Sequence, residues 1–503
     1  MVSLDAISTF AQAMPSKRAM VDLVSGRNWS YAELDRVIDR LAAWLVQKFG
    51  PRSGVRLATL SRNNSEMAIL QFACVRAGCI FMPLNWRLAV AELEALVGDG
   101  DPQILFVQAG FSTPANAAEL IDISGLLSLG EPGSCPPREA RRDFSEVSTL
   151  LYTSGTSGRP KGVMLSEQNI FWGCTNLIHG NAVTITSTFL CDMPLFHTAG
   201  LMAAMRTPLL AGGAVLISEG FDPAMTLERM TDPALAVTHY FSVPQMAATL
   251  WQRPEFDAAK LHKIVAWAIG GAPNPKAQSE RYISAGVRIS EGFGMSETGS
   301  NFAIPPFELD LMLTKAGSCG LPLMTIRAKI VDEEGHEVPE GERGELLVSG
   351  PSIALGYWNQ PALTAAAFVD GWFVTGDTAM RDADGYFYIV DRKKDMYISG
   401  GENVYPAEVE AAIAERTDVA ECAVVGVPDE RWGEVGRAYV IAAPDCNLSS
   451  DEIIAHCMGR LAKFKVPKSA VITDAIPRTA SGKVQKHLLK ARAIAELDTE
   501  SAV

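Results

Sequence analysis

The apolar positions of the first hundred residues change period in a way that predicts alternating helices and strands. Between residues 31 and 49, apolar side chains recur every three or four positions, which is the helical period, and Gly50 follows as a stop signal. Residues 55–60 and 79–84 are short apolar runs typical of strands, and residues 66–77 between them predict a helix. This order predicts βαβ units with parallel pairing, and the pattern continues to about residue 300.

The pattern changes in the last third of the chain. Residues 346–348 and 386–390 favour strands of an antiparallel sheet. After residue 394, a helix over 407–415 and strands over 422–427 and 437–443, the last after a turn at Pro428-Asp429-Glu430, predict a small α+β unit of roughly 100 residues. We therefore predict an α/β protein, with a large N-terminal domain over 1–393 that contains βαβ-type sheets and an antiparallel β part, and a small α+β C-terminal domain over 394–503.

Composition narrows the class of protein. The 503 residues are 48% hydrophobic and 20% charged, which is typical of a soluble globular protein with more than one domain. The net charge of −14 argues against nonspecific nucleic-acid binding. No apolar run reaches the roughly 18 residues of a membrane span, and the N-terminus lacks a secretory pattern.

Cysteine and histidine usage bears on location and metal content. The 9 cysteines form no C-x-x-C pair, which fits reduced thiols in a cytoplasmic protein, and the 7 histidines show no ligand-spaced cluster that would indicate a structural metal. The sequence leaves open whether the chain forms a homodimer.

Residues 149–163 carry the strongest chemical signal. An apolar run enters a loop of hydroxyls and glycines, which Pro160 and Lys161 close. Glycine lets backbone N–H groups approach an anion, hydroxyls add donors, and Lys161 adds a point charge. The Walker pattern fails because Gly162 stands where Ser or Thr is required. We predict a polyphosphate-binding loop made of Thr153, Ser154, Gly155, Thr156, Ser157, Gly158 and Lys161.

The order of residues in this loop resembles the AMP-binding signature of adenylate-forming enzymes. That family includes acyl-CoA synthetases, aryl-CoA ligases, peptide-synthetase adenylation domains and luciferases. Further motifs follow in the family's order over nearly the whole chain: residues 194–197, 270–273, 292–298, 356–358, 371–377, 391–395, 399–403 and 477–483. The resemblance implies that ATP and a carboxylic acid give acyl-AMP and pyrophosphate, after which CoA displaces AMP.

The resemblance also assigns a nucleotide site. Glu297 is expected to bind Mg²⁺ beside Thr156, since Mg²⁺ held with ATP phosphates takes only one or two protein carboxylates. Thr298 is expected to donate to the α-phosphate, and Asp377 to accept from the ribose diol with Arg392 as its companion. The expected adenine and nucleotide neighbours, among which Phe293 stacks, are Gly271, Ala272, Pro273, Glu291, Gly292, Phe293, Gly294, Met295 and Ser296.

Two more residues are expected at the reacting carboxylate. By the resemblance, Lys483 enters the site and stabilises the attack of the carboxylate on the α-phosphate, which is electrostatic stabilisation of developing charge. His197 is expected at the mouth of the acyl pocket, where it gates access and does not act as a general base.

The second half-reaction is expected to need a domain rotation. The resemblance places a hinge at Lys394, so that the small domain is mobile, and has Gly400 and Gly401 line a tunnel for pantetheine. The C-terminal unit is locally basic at Arg431, Lys463, Lys465, Lys468 and Lys486. The expected contacts of the CoA nucleotide are Trp432, Phe464 and Lys468.

The acyl pocket is expected to be apolar. It carries no Arg or Lys for a second carboxylate, and because an unpaired buried charge is costly, the lining disfavours a malonate-like diacid. Fatty acids and aromatic acids of the hydroxycinnamate, feruloyl or benzoate type both fit, and we favour a fatty acid slightly. The candidate lining is Phe196, His197, Phe241, Val243, Met246, Gly270, Met295, Gly299 and Ser300, with Asn301 and Phe302 beside them.

Other activities share these motifs. A luciferase-type oxygenase is distinguished only by oxygen dependence. An adenylating enzyme that loads a carrier is expected to have a carrier domain, for which the chain leaves no room before Val503, and an Asp for a substrate ammonium, where Ser242 stands. A non-catalytic AMP sensor is expected to lack Lys483 or Glu297, and both are present.

Overall fold

The computed structural model describes residues 5–141, 143–153, 161–272, 274–392, 395–399, 402–429, 431–458, 460–479 and 483–501. Its α-helices are distributed along the whole chain, with short 3-10 helices at Ile123–Ser128 and Arg138–Ala140 and a π-helix at Ala199–Arg206. The α-helices are α1 Ala6–Ala13, α2 Tyr31–Phe49, α3 Ser65–Ala77, α4 Val90–Gly100, α5 Glu167–Gly180, α6 Thr207–Leu210, α7 Pro223–Thr231, α8 Pro244–Trp251, α9 Ala258–Leu261, α10 Lys276–Ser284, α11 Leu309–Thr314, α12 Pro361–Ala367, α13 Pro406–Ala414, α14 Ser450–Met458 and α15 Lys486–Ser501.

The strands alternate with these helices in the first half and dominate the second. They are β1 Arg18–Asp22, β2 Asn28–Ser30, β3 Arg56–Leu60, β4 Ile80–Leu84, β5 Ile104–Val107, β6 Leu120–Asp122, β7 Val147–Thr153, β8 Lys161–Ser166, β9 Thr188–Cys191, β10 Ala214–Ile217, β11 His239–Ser242, β12 Ala266–Ile269, β13 Ile289–Met295, β14 Gly299–Ala303, β15 Leu321–Pro322, β16 Arg327–Val331, β17 Arg343–Ser349, β18 Gly356–Tyr357, β19 Phe368–Val369, β20 Trp372–Arg381, β21 Phe387–Arg392, β22 Tyr397–Ser399, β23 Glu402–Val404, β24 Val419–Asp429, β25 Gly433–Ala442 and β26 Ser469–Ile472.

Within the described ranges these strands form four sheets. The first has the order β15-β14-β13-β12-β11-β9-β10-β1-β2, with parallel pairing from β13 to β1. The second has the order β18-β8-β7-β4-β3-β5-β6 and is parallel from β7 to β6. The third, β16-β17-β20-β19 with β21 on β20, is antiparallel. The fourth has the order β23-β22-β25-β24 with β26 on β25, and α13, α14 and α15 belong to the same part of the chain.

This architecture confirms the predicted fold class. Strands β3 and β4 pair in parallel around α3, as the apolar periodicity indicates, and β17 and β21 both pair with β20 in an antiparallel sheet. The last strand of the third sheet ends at Arg392, and the first of the fourth begins at Tyr397. The division at Lys394 and its hinge remain predictions, because residues 393 and 394 lie outside the described residues.

One predicted turn is misplaced. Pro428 and Asp429 continue β24 and pair with Glu434 and Gly433 of β25, so the strand is longer than the apolar run over 422–427. Proline is tolerated there because β24 lies at the edge of its sheet, where a missing N–H breaks no ladder. The turn itself follows Asp429, whose carboxylate accepts from the backbone N–H groups of Arg431 and Trp432 at 2.9 Å each.

Helix α2 shows how local sequence sets an element's limits. Ser30 and Glu33 form a capping box at its start: the Ser30 Oγ accepts from the Glu33 N–H at 3.3 Å, and the Glu33 carboxylate accepts from the Ser30 N–H at 2.9 Å. At its end Gly50 adopts φ +81°, a conformation that disfavours residues with a Cβ. The buried face packs on α3 in one hydrophobic core.

A charged cluster ties α2, α3 and the N-terminal segment together. The guanidinium of Arg76 on α3 is 2% exposed and pairs with Asp5 at 2.8 Å, Asp35 at 2.6 Å and Asp39 at 2.7 Å. Burial works against the charge of Asp5, but the attraction of Arg76 outweighs it and holds the pKa of that carboxyl below its usual value. Removing one member of such a cluster leaves the others buried without compensation.

Two further features concern the cysteines and the apolar character of the helices. No disulfide joins any of the nine cysteines, all of which lie in described ranges. Among the helices of those ranges, none combines the length and the apolar character that crossing a bilayer requires.

Arg76 generates a stability prediction. Arg76→Met leaves three carboxylates without their buried partner, so the free energy of unfolding is expected to fall by about 3–5 kcal/mol. Arg141→Met is the matched control, since Arg141 also pairs with Asp5, at 3.1 Å, but is 30% exposed, and its loss is expected to cost less than about 1 kcal/mol. Urea unfolding followed by tryptophan fluorescence measures both, and equal losses would contradict the role given to the cluster.

Candidate active site

A cavity of about 2040 Å³ opens at the carboxyl ends of β11, β12 and β13. In open parallel sheets this edge is where ligands bind, because the loops that follow the strands converge there. The wall includes residues of the connections that follow strands of the first sheet, such as Gly270 and Glu297, and residues of the C-terminal unit, such as Glu408 and Lys483. The N-terminal and C-terminal parts of the chain therefore enclose one space.

The hairpin of β13 and β14 supplies much of this wall. Its strands approach so closely that a Cβ on Gly294 would lie 2.2 Å from the Gly299 carbonyl oxygen, a distance no side chain tolerates. Gly299 itself has φ +65°, which glycine adopts without strain. Residues 296–298 connect the two strands, and Ser296 and Glu297 line the cavity from this connection.

Glu297 is held in place by the neighbouring β18 segment. Its Oε1 accepts from the Tyr357 hydroxyl at 3.0 Å, and its backbone carbonyl accepts from the Ala354 N–H at 2.7 Å. The ammonium of Lys161 lies 5.3 Å from the centre of the same tyrosine ring. A carboxylate and an ammonium that line the cavity thus both lie next to Tyr357, an arrangement suited to a metal-bound polyphosphate.

The polyphosphate loop connects two antiparallel strands. Thr153 ends β7 directly opposite Lys161, the first residue of β8, and both line the cavity. A Walker loop instead leads from a strand into a helix, so the hairpin agrees with its exclusion. Ser154, Gly155, Thr156, Ser157 and Gly158 lie outside the described residues, and so does the metal role expected of Thr156.

Two residues of the 297–302 segment do not reach the cavity as expected. The Thr298 side chain is fully buried, and its hydroxyl donates to the Asn301 Oδ1 at 2.5 Å and accepts from the Met295 N–H at 3.2 Å. These bonds fix the turn of the hairpin, so the structure contradicts an α-phosphate contact by this hydroxyl. Asn301 is equally buried and absent from the cavity wall.

A buried carboxyl borders the part of the cavity expected to hold adenine. Glu291 accepts from the Ser279 hydroxyl at 2.6 Å and from the Gly317 N–H at 3.0 Å. Burial raises the pKa of Glu291 to about 7, which keeps much of it neutral at physiological pH. The other expected neighbours of the base also line this region, namely Gly271, Ala272, Gly292, Phe293, Gly294, Met295 and Ser296, whereas Pro273 lies outside the described residues.

The third sheet brings a second carboxylate to the cavity. Asp377 on β20 lines it, and its backbone N–H donates to the Thr375 hydroxyl at 3.1 Å. Arg392 lies directly opposite Asp377 in the register of β20 and β21, so the backbone places the expected ribose pair side by side. An acidic group and a cross-strand arginine suit a sugar diol next to a phosphate.

His197 and Lys483 meet across the boundary between the two parts of the chain. Burial, together with repulsion from Lys483 and Arg87, lowers the pKa of His197 to about 3, so its imidazole is neutral at physiological pH. Its Nε2 has no hydrogen-bond partner among the described residues, although it lines the cavity. Lys483 is carried by a turn in which its N–H donates to the Thr479 hydroxyl at 3.1 Å. An imidazole with so low a pKa is a weak base, which is consistent with the expectation that His197 does not act as a general base.

The apolar end of the cavity contains most of the expected acyl-pocket residues. Phe196, Phe241, Val243, Gly270, Met295, Gly299, Ser300 and Phe302 line it. Met246 does not, because α8 turns its side chain into the hydrophobic core around Tyr240 and Trp267. The structure contradicts its assignment to the pocket.

The residues expected to contact the CoA nucleotide lie away from the cavity. Trp432 is 43% exposed with Arg431 stacked on its ring at 4.9 Å, and Phe464 packs against the core of the fourth sheet. Lys468 pairs with Asp429, so part of its charge is compensated within the domain. Gly400 and Gly401 lie outside the described residues.

Other residues of the expected basic cluster are also paired. Lys465 pairs with Glu408 at 2.5 Å, and Lys486 with Glu410 at 2.9 Å. Although burial disfavours its charge, Glu410 and Asp391 raise the pKa of Lys486. Lys486 lines the cavity, so it belongs to the active-site wall and not to an exposed CoA surface.

Sequence reasoning missed two residues of the wall. Arg87, in the connection after β4, lies 5.8 Å from the Phe196 ring and close enough to His197 to influence its ionisation. Asn181, just after α5, lines the apolar end together with Leu177. Neither belongs to a motif, and only the position of Arg87 at the carboxyl end of a parallel strand offered a signal.

The carboxylate available at the cavity suits a metal ion that binds together with a nucleotide. Within the part of the chain that the structure describes, no three His, Cys, Asp or Glu side chains gather as metal ligands. Mg²⁺ held with nucleotide phosphates requires only one or two protein carboxylates, and Glu297 offers one at the cavity.

Comparisons with known proteins agree with this geometry. The family model of the AMP-binding enzymes matches residues 7–358, and that of the AMP-binding enzyme C-terminal domain matches residues 408–483. The chain is 38% identical over 473 residues to a feruloyl-CoA synthase of Amycolatopsis sp (93% of this chain, 94% of the relative) and 36% identical over 476 residues to an indoleacetate–CoA ligase of Aromatoleum aromaticum (92% of each). The crystal structure of ATP-bound MatB from Rhodopseudomonas palustris superposes with a TM-score of 0.89 at 30% identity, over 98% of this chain and 99% of that one.

The buried carboxyl of Glu291 generates a prediction about pH. Its folded-state pKa of about 7 lies above its ordinary value of 4.5, so its contribution to stability is fully present below about pH 4.5 and is lost as the pH rises through 7. Glu291→Gln has no charge to bury. The free energy of unfolding of the variant minus that of wild type is therefore expected to be larger at about pH 8.5 than at about pH 5, by up to about 3 kcal/mol, because wild type loses stability as the pH rises.

Urea titrations at both pH values measure this difference. Glu280→Gln, on the solvent side of the neighbouring α10, controls for the general effect of losing a carboxylate. A Glu291→Gln difference that is the same at both pH values would show that this carboxyl is ionised throughout.

Proposed function

We propose, from the premise that the chain belongs to the AMP-binding enzyme family, that it joins an aromatic monocarboxylic acid to CoA. The chain is an AMP-forming acid–thiol ligase, as its relatives are. The proposal concerns the acid and the residues that act on it. A preference for fatty acids, which the sequence alone favours slightly, has less support, because the relatives named above act on feruloyl and indoleacetate groups.

The closed inner end of the apolar pocket carries this proposal. We infer this closed end from five residues that line the cavity and also border a separate void of only about 10 Å³, so that little space lies behind them: Leu177, Asn181, Ala203, Phe241 and Ala268. Behind the wall, the rings of Phe189 and His239 stack at 4.6 Å. A long alkyl chain requires a tunnel, whereas a pocket of fixed depth that phenylalanine rings flank suits a short acid with a flat ring.

The charges at the cavity fit the first half-reaction. In that step a carboxylate oxygen attacks the α-phosphorus and pyrophosphate leaves. Lys161 is proposed to bind the polyphosphate, Glu297 to hold Mg²⁺, and Asp377 with Arg392 to bind the ribose. Lys483 is proposed to stabilise the negative charge that develops between the carboxylate and the phosphate, so the protein forms no covalent bond.

The second half-reaction needs a thiol in the position that Lys483 takes here. The CoA thiolate attacks the acyl carbonyl and AMP leaves. We propose that the C-terminal unit turns about Lys394 to admit CoA, with Gly400 and Gly401 beside pantetheine and Trp432, Phe464 and Lys468 near its nucleotide. The outward position of Trp432 is compatible with such a binding surface.

The acid preference is tested with a substrate panel. Wild-type protein is assayed for ATP–pyrophosphate exchange and for thioester formation with cinnamate, ferulate, indoleacetate and benzoate, and with octanoate and palmitate. We expect kcat/KM for the best aromatic acid to exceed that for either fatty acid by at least about 10-fold. Palmitate as the best substrate would overturn the proposed acid, and release of ADP with orthophosphate would overturn the reaction.

The role of Lys483 is tested by separating the two steps. Lys483→Ala removes a preorganised cation, so exchange is expected to fall by about 10² to 10³. Thioester formation from supplied acyl-adenylate is expected to change little. Lys490→Ala, on α15 and paired with Glu434, is the matched control, and its exchange is expected to equal that of wild type. Equal losses of Lys483→Ala in both half-reactions would contradict the assignment.

A further inference from the structure

Lys486 is a largely buried cation that stands only three residues after Lys483. It is the first residue of α15, its side chain is 16% exposed, and its ammonium pairs with the Glu410 carboxylate of α13 at 2.9 Å. The same Glu410 oxygen accepts from the Val424 N–H of β24 at 2.7 Å, so the partner of Lys486 is itself held in place. Burying a lysine is costly unless it is paired, and the two half-reactions proposed above leave this lysine without a task.

The turn that carries Lys483 is held by an ion pair on each side of its base. Arg478 and Val484 form an antiparallel bridge across the base. Arg478 pairs with Glu421 of β24, and Lys486 binds α13 as described. Because Lys483 is separated from Lys486 by three residues, at most about 11 Å of extended chain, the anchor at Lys486 limits how far Lys483 can shift.

Helix α13, to which Lys486 is bound, is itself docked on the N-terminal part of the chain. The Ala407 N–H in the first turn of α13 donates to the Asp391 carboxylate of β21 at 2.8 Å. Asp391 is 6% exposed and is followed by Arg392, which is proposed to bind the ribose. A carboxylate at a helix N-terminus accepts from an N–H that has no partner within the helix and complements the helix dipole. This contact therefore favours the arrangement in which the two parts of the chain meet.

A continuous path of contacts joins β21 to the proposed activating lysine. It runs from Asp391 through the first turn of α13 to Glu410, and from Glu410 through Lys486 to the turn of Lys483. Asp391 belongs to the N-terminal part, whereas the other members belong to the C-terminal unit. When that unit turns about Lys394 as proposed, the link at Asp391 breaks while the pair of Glu410 and Lys486 persists. The path is thus complete only in the arrangement that brings Lys483 to the cavity.

We propose that Lys486 is a positioning residue for acid activation: its ion pair with Glu410 fastens the Lys483 turn to α13, which Asp391 fastens to β21. This assignment rests on the proposed function, because it concerns the step that Lys483 is proposed to promote. Stabilisation of developing charge requires a cation held at a set distance, so a loosened turn lowers the rate of activation more than it weakens substrate binding. Lys486 acts through Lys483 and is assigned no bond to the acid or the nucleotide.

Half-reaction assays of Lys486→Met with the best acid of the panel test this role. Methionine keeps a long side chain without the charge, so kcat for ATP–pyrophosphate exchange is expected to fall by about 10- to 100-fold, while KM for ATP and for the acid stays within about 3-fold of wild type. Thioester formation from supplied acyl-adenylate is expected to change by less than about 3-fold. Lys486→Arg keeps a cation that can pair with Glu410 and is expected to recover at least about half of the wild-type exchange rate.

Lys490→Met is the matched control for these assays. Lys490 lies one turn later on α15 and pairs with Glu434 at 2.9 Å within the C-terminal unit, so its exchange is expected to equal that of wild type. Equal losses of Lys486→Met in both half-reactions would indicate a general role in the fold, and a loss confined to thioester formation would indicate a contact with CoA. Either result overturns the proposal, and so does an unchanged exchange rate.

The link through Asp391 is tested by a double-mutant cycle. Asp391→Ala removes the acceptor at α13, so exchange is expected to fall while thioester formation from acyl-adenylate is kept. Because both changes break the same path, Asp391→Ala combined with Lys486→Met is expected to lose at least about 3-fold less activity than the product of the two single losses. Losses that multiply in full would overturn the path. Asp391→Ala alone still gives the half-reaction test should Lys486→Met not fold.

Hydrogen–deuterium exchange of the protein without substrates separates this proposal from the proposed function. The backbone amides of residues 483–489 are expected to exchange deuterium faster in Lys486→Met than in wild type or Lys490→Met, since only the first variant loses the anchor. Equal protection in Lys486→Met and wild type would overturn the proposal. Failure of the proposed reaction has a different signature, in which wild-type protein shows no ATP–pyrophosphate exchange with any acid although Lys486→Met still loosens the turn.

Discussion

The closeness of β13 and β14 is the constraint on which the rest of the site depends. A Cβ at Gly294 would lie 2.2 Å from the Gly299 oxygen, so the close approach of the two strands at this point requires glycine at position 294. This hairpin carries Glu291, Met295 and Glu297, each on a different part of the cavity wall. If its strands were spread apart, the nucleotide side and the acid side would no longer share one wall. The turn is then fixed by the buried hydroxyl of Thr298, which explains why that side chain faces inward.

The distribution of charge follows from the need to hold an anion and an apolar acid in adjoining spaces. Cationic groups stand at the nucleotide side and at the mouth of the acyl pocket, while the described residues of the inner end include no charged side chain. Several lysines of the C-terminal unit are paired with glutamates or aspartates, as Lys465 is with Glu408. Part of the basic stretch that the sequence shows is therefore compensated by ion pairs within the C-terminal unit.

The features that could be predicted from the sequence are those that depend on residues close together in the chain. The glycine-rich motifs, the exclusion of a Walker loop and the βαβ order all depend on neighbours in the chain, and many residues that the family resemblance assigns to the site line the cavity. Met246 was misassigned because the direction of a side chain on a short helix depends on how that helix packs. Asn181 was missed because an asparagine after a helix is common, and its place in the cavity wall appears only when β11 comes beside it. Lys486 looked like a surface charge until Glu410 was placed next to it.

The cavity is built from two stretches of chain that the sequence keeps apart. The walls proposed to choose the acid precede Arg392, and the lysine proposed to drive its activation comes from the turn at Lys483. With these roles, the choice of acid and the rate of its activation depend on different segments of the chain. A recombinant that joins the N-terminal segment of one family member to the C-terminal segment of another, between their sheets, therefore keeps the acid preference of the first and takes the rate of the second.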